Sequence, residues 1–147
     1  MKGIRGVLAQ RNLREVQGIV EKALIEYVDE RSEDPAMKYA KDILLAGGKR
    51  FRPVLGCLAY EAAGATLDDK MLRTALSAEI IHTATLVHDD IYDQAKLRRG
   101  RPTLHSQHGI AHGIISGDYL FTLGYWLGAE QGPEVIKVLA ETCIGLA

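Results

Sequence analysis

Residues 79–93 read EIIHTATLVHDDIYD, and this stretch decides the fold. Ile80, Ala84, Leu86 and Val87 precede the acidic residues, so the carboxylates close a largely apolar helix. Asp89, Asp90 and Asp93 stand at positions i, i+1 and i+4. At about 100° per residue, Asp89 and Asp93 lie roughly 40° apart and share a helix face. Two like charges so close repel unless a cation sits between them. Oxygen-only ligands favour a hard cation such as Mg2+, which keeps some waters and accepts phosphate oxygens. Taken alone, the cluster is also compatible with a solvated acidic helix end.

Two basic segments flank this helix. Downstream runs KLRRGRP, with Lys96, Arg98, Arg99 and Arg101; upstream lies GGKRFRP, with Lys49, Arg50 and Arg52. Arginine grips phosphate bidentately and lysine acts as a point charge. Gly47 and Gly48 allow a sharp backbone turn. Carboxylates beside two basic loops fit a site where a metal and a diphosphate meet. His82 lies seven residues before Asp89, within roughly 20° of the same direction, where it can hydrogen-bond a diphosphate oxygen. His88 is one position off that face and reads as structural. A nucleic-acid partner is disfavoured by the net charge of -1 and by the lack of interleaved aromatic residues, Phe51 excepted.

The rest of the chain is helical by the same reading. Its 147 residues are 47% hydrophobic and 25% charged, enough for one domain, 1–147, with an apolar core. Val7 to about Asp29 carries an amphipathic stripe of Leu13, Val16, Ile19, Val20, Ala23, Leu24 and Val28. Pro35 opens a second helix that stops at Gly47-Gly48, and Pro53 a third that runs to Ala63. Thr66 or Asp68 caps a fourth, from about Asp69 into the Asp89 region. Asp93 to Gly109 reads mainly as loop, Ile110 to about Glu130 as a fifth helix, and Glu134 onward as a sixth. No stretch alternates long enough to predict a sheet. His105, His108 and His112 have zinc-like spacing, but Gly109 interrupts them, so they read as loop and early-helix residues. The stretch Ile110–Leu127 contains His112 and Asp118 and does not read as a membrane span. Two isolated cysteines, Cys57 and Cys143, and the absence of a leader pattern point to a reducing cytoplasm. The last helix stays apolar at Ile144 and Leu146, which predicts a missing neighbour.

GGKRFRP, then EIIHTATLVHDDIYDQAKLRRGRPTLH, then GDYLF resemble, in order and spacing, the N-terminal half of trans-polyprenyl diphosphate synthases. The resemblance implies an all-α helical bundle, half of an isoprenoid-synthase fold, and the joining of an allylic prenyl diphosphate to isopentenyl diphosphate. By that likeness Asp89 and Asp93 coordinate Mg2+, Asp90 supports the cluster and Arg98 holds the allylic diphosphate. Lys49, Arg52, His82 and Arg99 hold isopentenyl diphosphate, with Arg50 near the same site. Bulky residues just before the motif form a pocket floor in this family. Here Ala78, Ile81 and Thr85 lie below the aspartates, with Ala84 to the side. Small Ala84 and Thr85 imply a product longer than farnesyl diphosphate, which Ala84→Phe would shorten.

The family's second aspartate-rich motif has no match here. Three explanations follow. One is a split enzyme completed by a second subunit that carries that motif. The others are a non-catalytic regulatory or binding subunit and a fragment of a longer synthase. A terpene cyclase shares the fold and the first motif but has no need of GGKRFRP.

Overall fold

Seven helices and one two-residue hairpin make up residues 12–146, the part of the chain that the computed structural model describes. Helix α1 spans Leu13–Asp29 and opens on a reciprocal cap. The Asn12 side chain accepts from the Glu15 N–H, and the Glu15 carboxylate accepts from the Asn12 N–H, both at 3.0 Å. Val16, Val20, Leu24, Tyr27 and Val28 are buried, as the 3.6-residue stripe requires, whereas Leu13 is exposed. The expected start at Val7 lies outside the described residues.

Helix α2 spans Met37–Leu44, α3 Phe51–Ala62 and α4 Asp69–Tyr92. Helix α3 begins before Pro53, which sits in its first turn, where a missing N–H breaks no helical bond. Asp68 caps α4 by accepting from the Met71 N–H at 2.8 Å. Helices α6, Ile110–Glu130, and α7, Pro133–Leu146, complete the bundle. No helix among the described residues is long and apolar enough to cross a membrane.

The segment expected as loop is partly ordered. Strands β1, Leu97–Arg98, and β2, Arg101–Pro102, pair antiparallel, and α5 spans Leu104–His108. The two turn residues, Arg99 and Gly100, both have positive φ, the geometry that matches strand twist in a tight hairpin. A two-residue ladder is too short to produce a readable alternation, which explains why this hairpin escapes periodicity.

The core runs between α1, α2, α3, α4 and α6, through Val20, Leu24, Leu44, Val54, Ile80, Leu120 and Leu127. Helices α4 and α6 approach closely because α6 presents glycine to α4. A Cβ on Gly124 would lie 2.6 Å from Ile81 Cγ1 and 3.0 Å from the Ser77 carbonyl oxygen. The second of these is backbone and cannot move aside. The α4–α6 contact fixes the direction of α4, and therefore the place of the acidic residues at its end.

Candidate active site

Helix α4 delivers Asp89, Asp90 and Asp93 to one end of the bundle, but on two different sides. Asp89 and Asp93 are exposed, and neither side chain makes a hydrogen bond or ion pair among the described residues. Asp90 is buried, at 6% exposure, and both its oxygens accept from Arg98. It borders a cavity of about 390 Å3, lined also by Tyr39, Asp42, Thr83, Leu86 and Arg98, that touches neither Asp89 nor Asp93. The grouping of three carboxylates in sequence is thus a pair plus one.

That pair fits a hard divalent cation. Two unpaired, solvent-facing carboxylates one helical turn apart supply oxygen donors and leave room for water and phosphate oxygens. No three histidine, cysteine or acidic side chains converge as a metal cluster among the described residues. Any cation held here would therefore complete its shell from a ligand and water. The histidines at 105, 108 and 112 do not form such a cluster; His108 and His112 instead pack their rings on Tyr39, at 5.1 and 5.0 Å.

The two basic segments converge beside the acidic pair. Arg52 Nη1 lies 3.0 Å from His82 Nε2. The Arg99 guanidinium donates to the Gly47 carbonyl and lies over Gly48. Gly48 has φ 147°, and a Cβ there would sit 2.6 Å from Arg99 Nη1, so only glycine allows this approach. Burial holds the His82 ring below its ordinary pKa. The positive charges of Arg52, Arg99 and Arg98 act the same way, and Asp89 opposes them. One imidazole thus senses the upstream loop, the hairpin and the acidic helix end at once. The neutral ring accepts from Arg52 and so orients it, a role beside the direct ligand contact expected of His82.

A pH prediction follows. Below the ordinary imidazole value of 6.5 the unfolded chain takes up a proton more readily than the folded one, so stability falls as pH falls through that window. Urea denaturation at neutral pH and at about pH 5.5 should show this loss in the natural chain and a smaller one in His82→Gln. Equal losses in both would place the titrating group elsewhere.

Two expectations need correction. Arg50 does not face a ligand: its side chain is 1% exposed. It donates to Glu21 at 2.8 Å, to Glu79 at 3.1 Å and to the Leu44 carbonyl at 2.7 Å. It fastens the GGKRFRP loop to α1 and α4, leaving exposed Lys49 and Arg52 outward. Ala84, expected at the side of the product pocket, is fully buried in the core of the described residues. Ile81 is buried against Gly124, while Ala78 and Thr85 remain half-buried on the side of His82. Sequence reasoning missed Glu21 and Glu79. The one signal available was a lone glutamate at position 79 directly before an apolar pair. His88 is structural, as expected. Its Nε2 lies 3.3 Å from the Ile114 carbonyl and 3.6 Å from Asp118, with the ring against Phe121.

Comparison with known proteins places this geometry in context. The family model described as polyprenyl synthetase matches residues 34–147. A short chain isoprenyl diphosphate synthase of Methanocaldococcus jannaschii is 34% identical over 130 residues, covering 85% of this chain and 39% of that protein. Heptaprenyl diphosphate synthase component 2 of Geobacillus stearothermophilus is 42% identical over 111 residues, covering 75% of this chain and 34% of that protein. The solved geranylgeranyl pyrophosphate synthetase from the archaeon Geoglobus acetivorans superposes with a TM-score of 0.79 at 30% identity, over 89% of this chain and 44% of that one. The chain therefore spans less than half the length of these relatives.

Proposed function

The chain belongs to the polyprenyl synthetase family, and on that premise we propose that it supplies the first-aspartate half of a prenyl diphosphate synthase site. The site joins an allylic prenyl diphosphate to isopentenyl diphosphate, with Mg2+ held by Asp89 and Asp93. A partner subunit carrying the second aspartate-rich motif completes it. The observation that carries the reading is the meeting of the two basic segments beside α4, where Arg52 lies 3.0 Å from His82 and Arg99 of the hairpin donates to the Gly47 carbonyl. Exposed apolar side chains on α6 and α7 support a completing half: Ile114, Ile115, Trp126, Val138 and Ile144 are 46–78% exposed. One relative is itself named a component of a heptaprenyl diphosphate synthase.

In this reading the division of labour follows charge. Arg98 holds the allylic diphosphate, and Lys49, Arg52 and Arg99 hold the diphosphate of the second substrate. His82 keeps Arg52 in place. Breaking the allylic C–O bond leaves a carbocation and an anionic leaving group. When bound, Mg2+ would neutralise the charge developing on that leaving group. Arg98 stabilises the same charge through preset N–H groups. The two basic loops hold both reactants at a fixed separation, which contributes through orientation. Apolar walls keep water from the cation.

Product length is set, in this proposal, on the half-buried side of α4 at Ala78 and Thr85. Thr85→Phe is expected to shorten the product by at least one five-carbon unit in a product-length assay. Ala84→Phe would overpack the core instead.

The test is recovery of the tagged chain from its native host, with mass spectrometry of what accompanies it, followed by a condensation assay on the complex. A stoichiometric partner bearing the second aspartate-rich motif, and Mg2+-dependent consumption of isopentenyl diphosphate, is the expected result. Recovery of the chain alone, without activity on either substrate, would remove the split-subunit reading.

A further inference from the structure

We propose that the cavity beside the hairpin is a second binding site, whether or not the chain has the catalytic role proposed above. It takes a small amphipathic anion and, through Arg99, transmits its occupancy to the GGKRFRP loop. The cavity, of about 390 Å3, is bounded by α2, α4, the hairpin and α5. That volume is typical of a small-molecule pocket. On α4 it is lined by Thr83, Leu86, Val87 and Asp90, and by neither His82 nor the exposed pair Asp89 and Asp93. At about 100° per residue the two faces of α4 lie roughly a quarter turn apart. Filling the cavity therefore leaves the acidic pair uncovered.

The lining sets the ligand class. Ile43 and Ala46 on α2, Leu86 and Val87 on α4 and Leu104 on α5 give an apolar wall. Tyr39 adds a ring held edge to face against His108, with centroids 5.1 Å apart. Such a surface suits a hydrocarbon or aryl body. The charged lining residues are Arg98, Arg99 and Arg101 on one side of the balance, and Asp42 and Asp90 on the other. Arg98 and Asp90 bind each other, which leaves two arginines and one aspartate. Arg101 is exposed, and its side chain makes no hydrogen bond or ion pair among the described residues. Arg99 gives one nitrogen to the Gly47 carbonyl and has further N–H groups to donate. One surplus positive charge suits a single anionic head, such as a carboxylate, better than a cluster of phosphate charges. Arg99 also gives the site a consequence. It lines the cavity, donates to the Gly47 carbonyl and lies over Gly48, at the start of the loop that carries Lys49 and Arg52. A head group that draws on this guanidinium competes with the Gly47 carbonyl, so an occupant shifts the turn. The coupling is reciprocal, since whatever fixes the turn also fixes Arg99.

The test uses the full chain, with its partner where it has one, labelled with 15N and with 13C in the Ile, Leu and Val methyl groups. Octanoate is the probe, followed by nuclear magnetic resonance. On titration the methyls of Ile43, Leu86, Val87 and Leu104 should shift with one saturable midpoint. The Gly47 and Gly48 amides should move at the same midpoint. Octanol, which has the same body without the charge, should bind at least about tenfold more weakly, and Arg101→Ser should lower octanoate affinity by about tenfold, the loss of one charge-assisted hydrogen bond. Ala46→Phe, which places a ring in the cavity, should abolish the shifts. Shifts confined to the exposed side chains of Ile114, Ile115, Val138 and Ile144 would mean adsorption to an apolar surface and would overturn the inference. Equal affinity for octanol and octanoate would do the same, as would Gly47 and Gly48 amides that stay still while the cavity fills. If Ala46→Phe does not fold, Arg101→Ser and the octanol comparison decide, and unchanged octanoate affinity in Arg101→Ser overturns the inference.

Discussion

Asp89→Ala is expected to abolish Mg2+-dependent condensation in the assembled enzyme, a loss of at least about a thousandfold in kcat, or about 4 kcal/mol of transition-state stabilisation. The size follows from the lack of a substitute. Asp89 and Asp93 are the exposed carboxylates of the motif, and Asp90 is committed to Arg98. In the proposed site, removing one of two carboxylate ligands would leave a single carboxylate at the place where leaving-group charge develops. Because the Asp89 side chain is exposed and makes no hydrogen bond or ion pair among the described residues, the variant should unfold at the same denaturant concentration as the natural chain. Product formation from both substrates, measured beside a denaturation curve, separates the two effects. Full activity would sink the metal assignment, and lost activity with lost stability would make Asp89 a structural residue.

The largest effect on stability belongs to Arg50. Arg50→Ala should lower the unfolding free energy by about 3–5 kcal/mol, the usual consequence of removing one partner from a buried ion pair. Glu79, whose side chain is 6% exposed, would be left charged in the core, and the Leu44 carbonyl would lose its donor. Glu21 is about a third exposed, so Glu21→Gln should cost less. Arg50 also sits at φ 46°, a left-handed conformation unusual for a side chain of this size, and its three acceptors hold it there. Chemical denaturation followed by far-UV circular dichroism reads the change. A midpoint that does not move would mean that Glu79 finds water or another partner. In the proposed site the same variant should also weaken substrate binding at Lys49 and Arg52, since the loop that carries them loses its fastening to α1 and α4.

Helix positions were legible because they depend on neighbours a few residues away. The stripe of α1 and the Asp68 cap of α4 are local signals, and both reappear in the structure, whereas α2 ends at Leu44, short of the expected stop at Gly47-Gly48. So does the shared face of Asp89 and Asp93, which needs only the helical period. The hairpin was not legible, since two paired residues give no alternation.

The chemistry of the site is likewise divided. The sequence alone determined that acidic and basic groups of the right kind exist at spacings that bring them to one end of a helical bundle. It could not rank the members of each cluster. Lys49, Arg50 and Arg52 carry the same charge within four residues, yet Arg50 turns inward to carboxylates 29 residues away on either side, on other helices. Asp89 and Asp90 are adjacent and chemically identical, yet one faces solvent and the other an arginine on a hairpin. Ala84 and Thr85 are both small, yet one lies in the core and the other outside it. Composition and period set which groups are available. Which of them reach a ligand is decided by long-range contacts, because burial and pairing of a charge depend on what the rest of the chain packs against it.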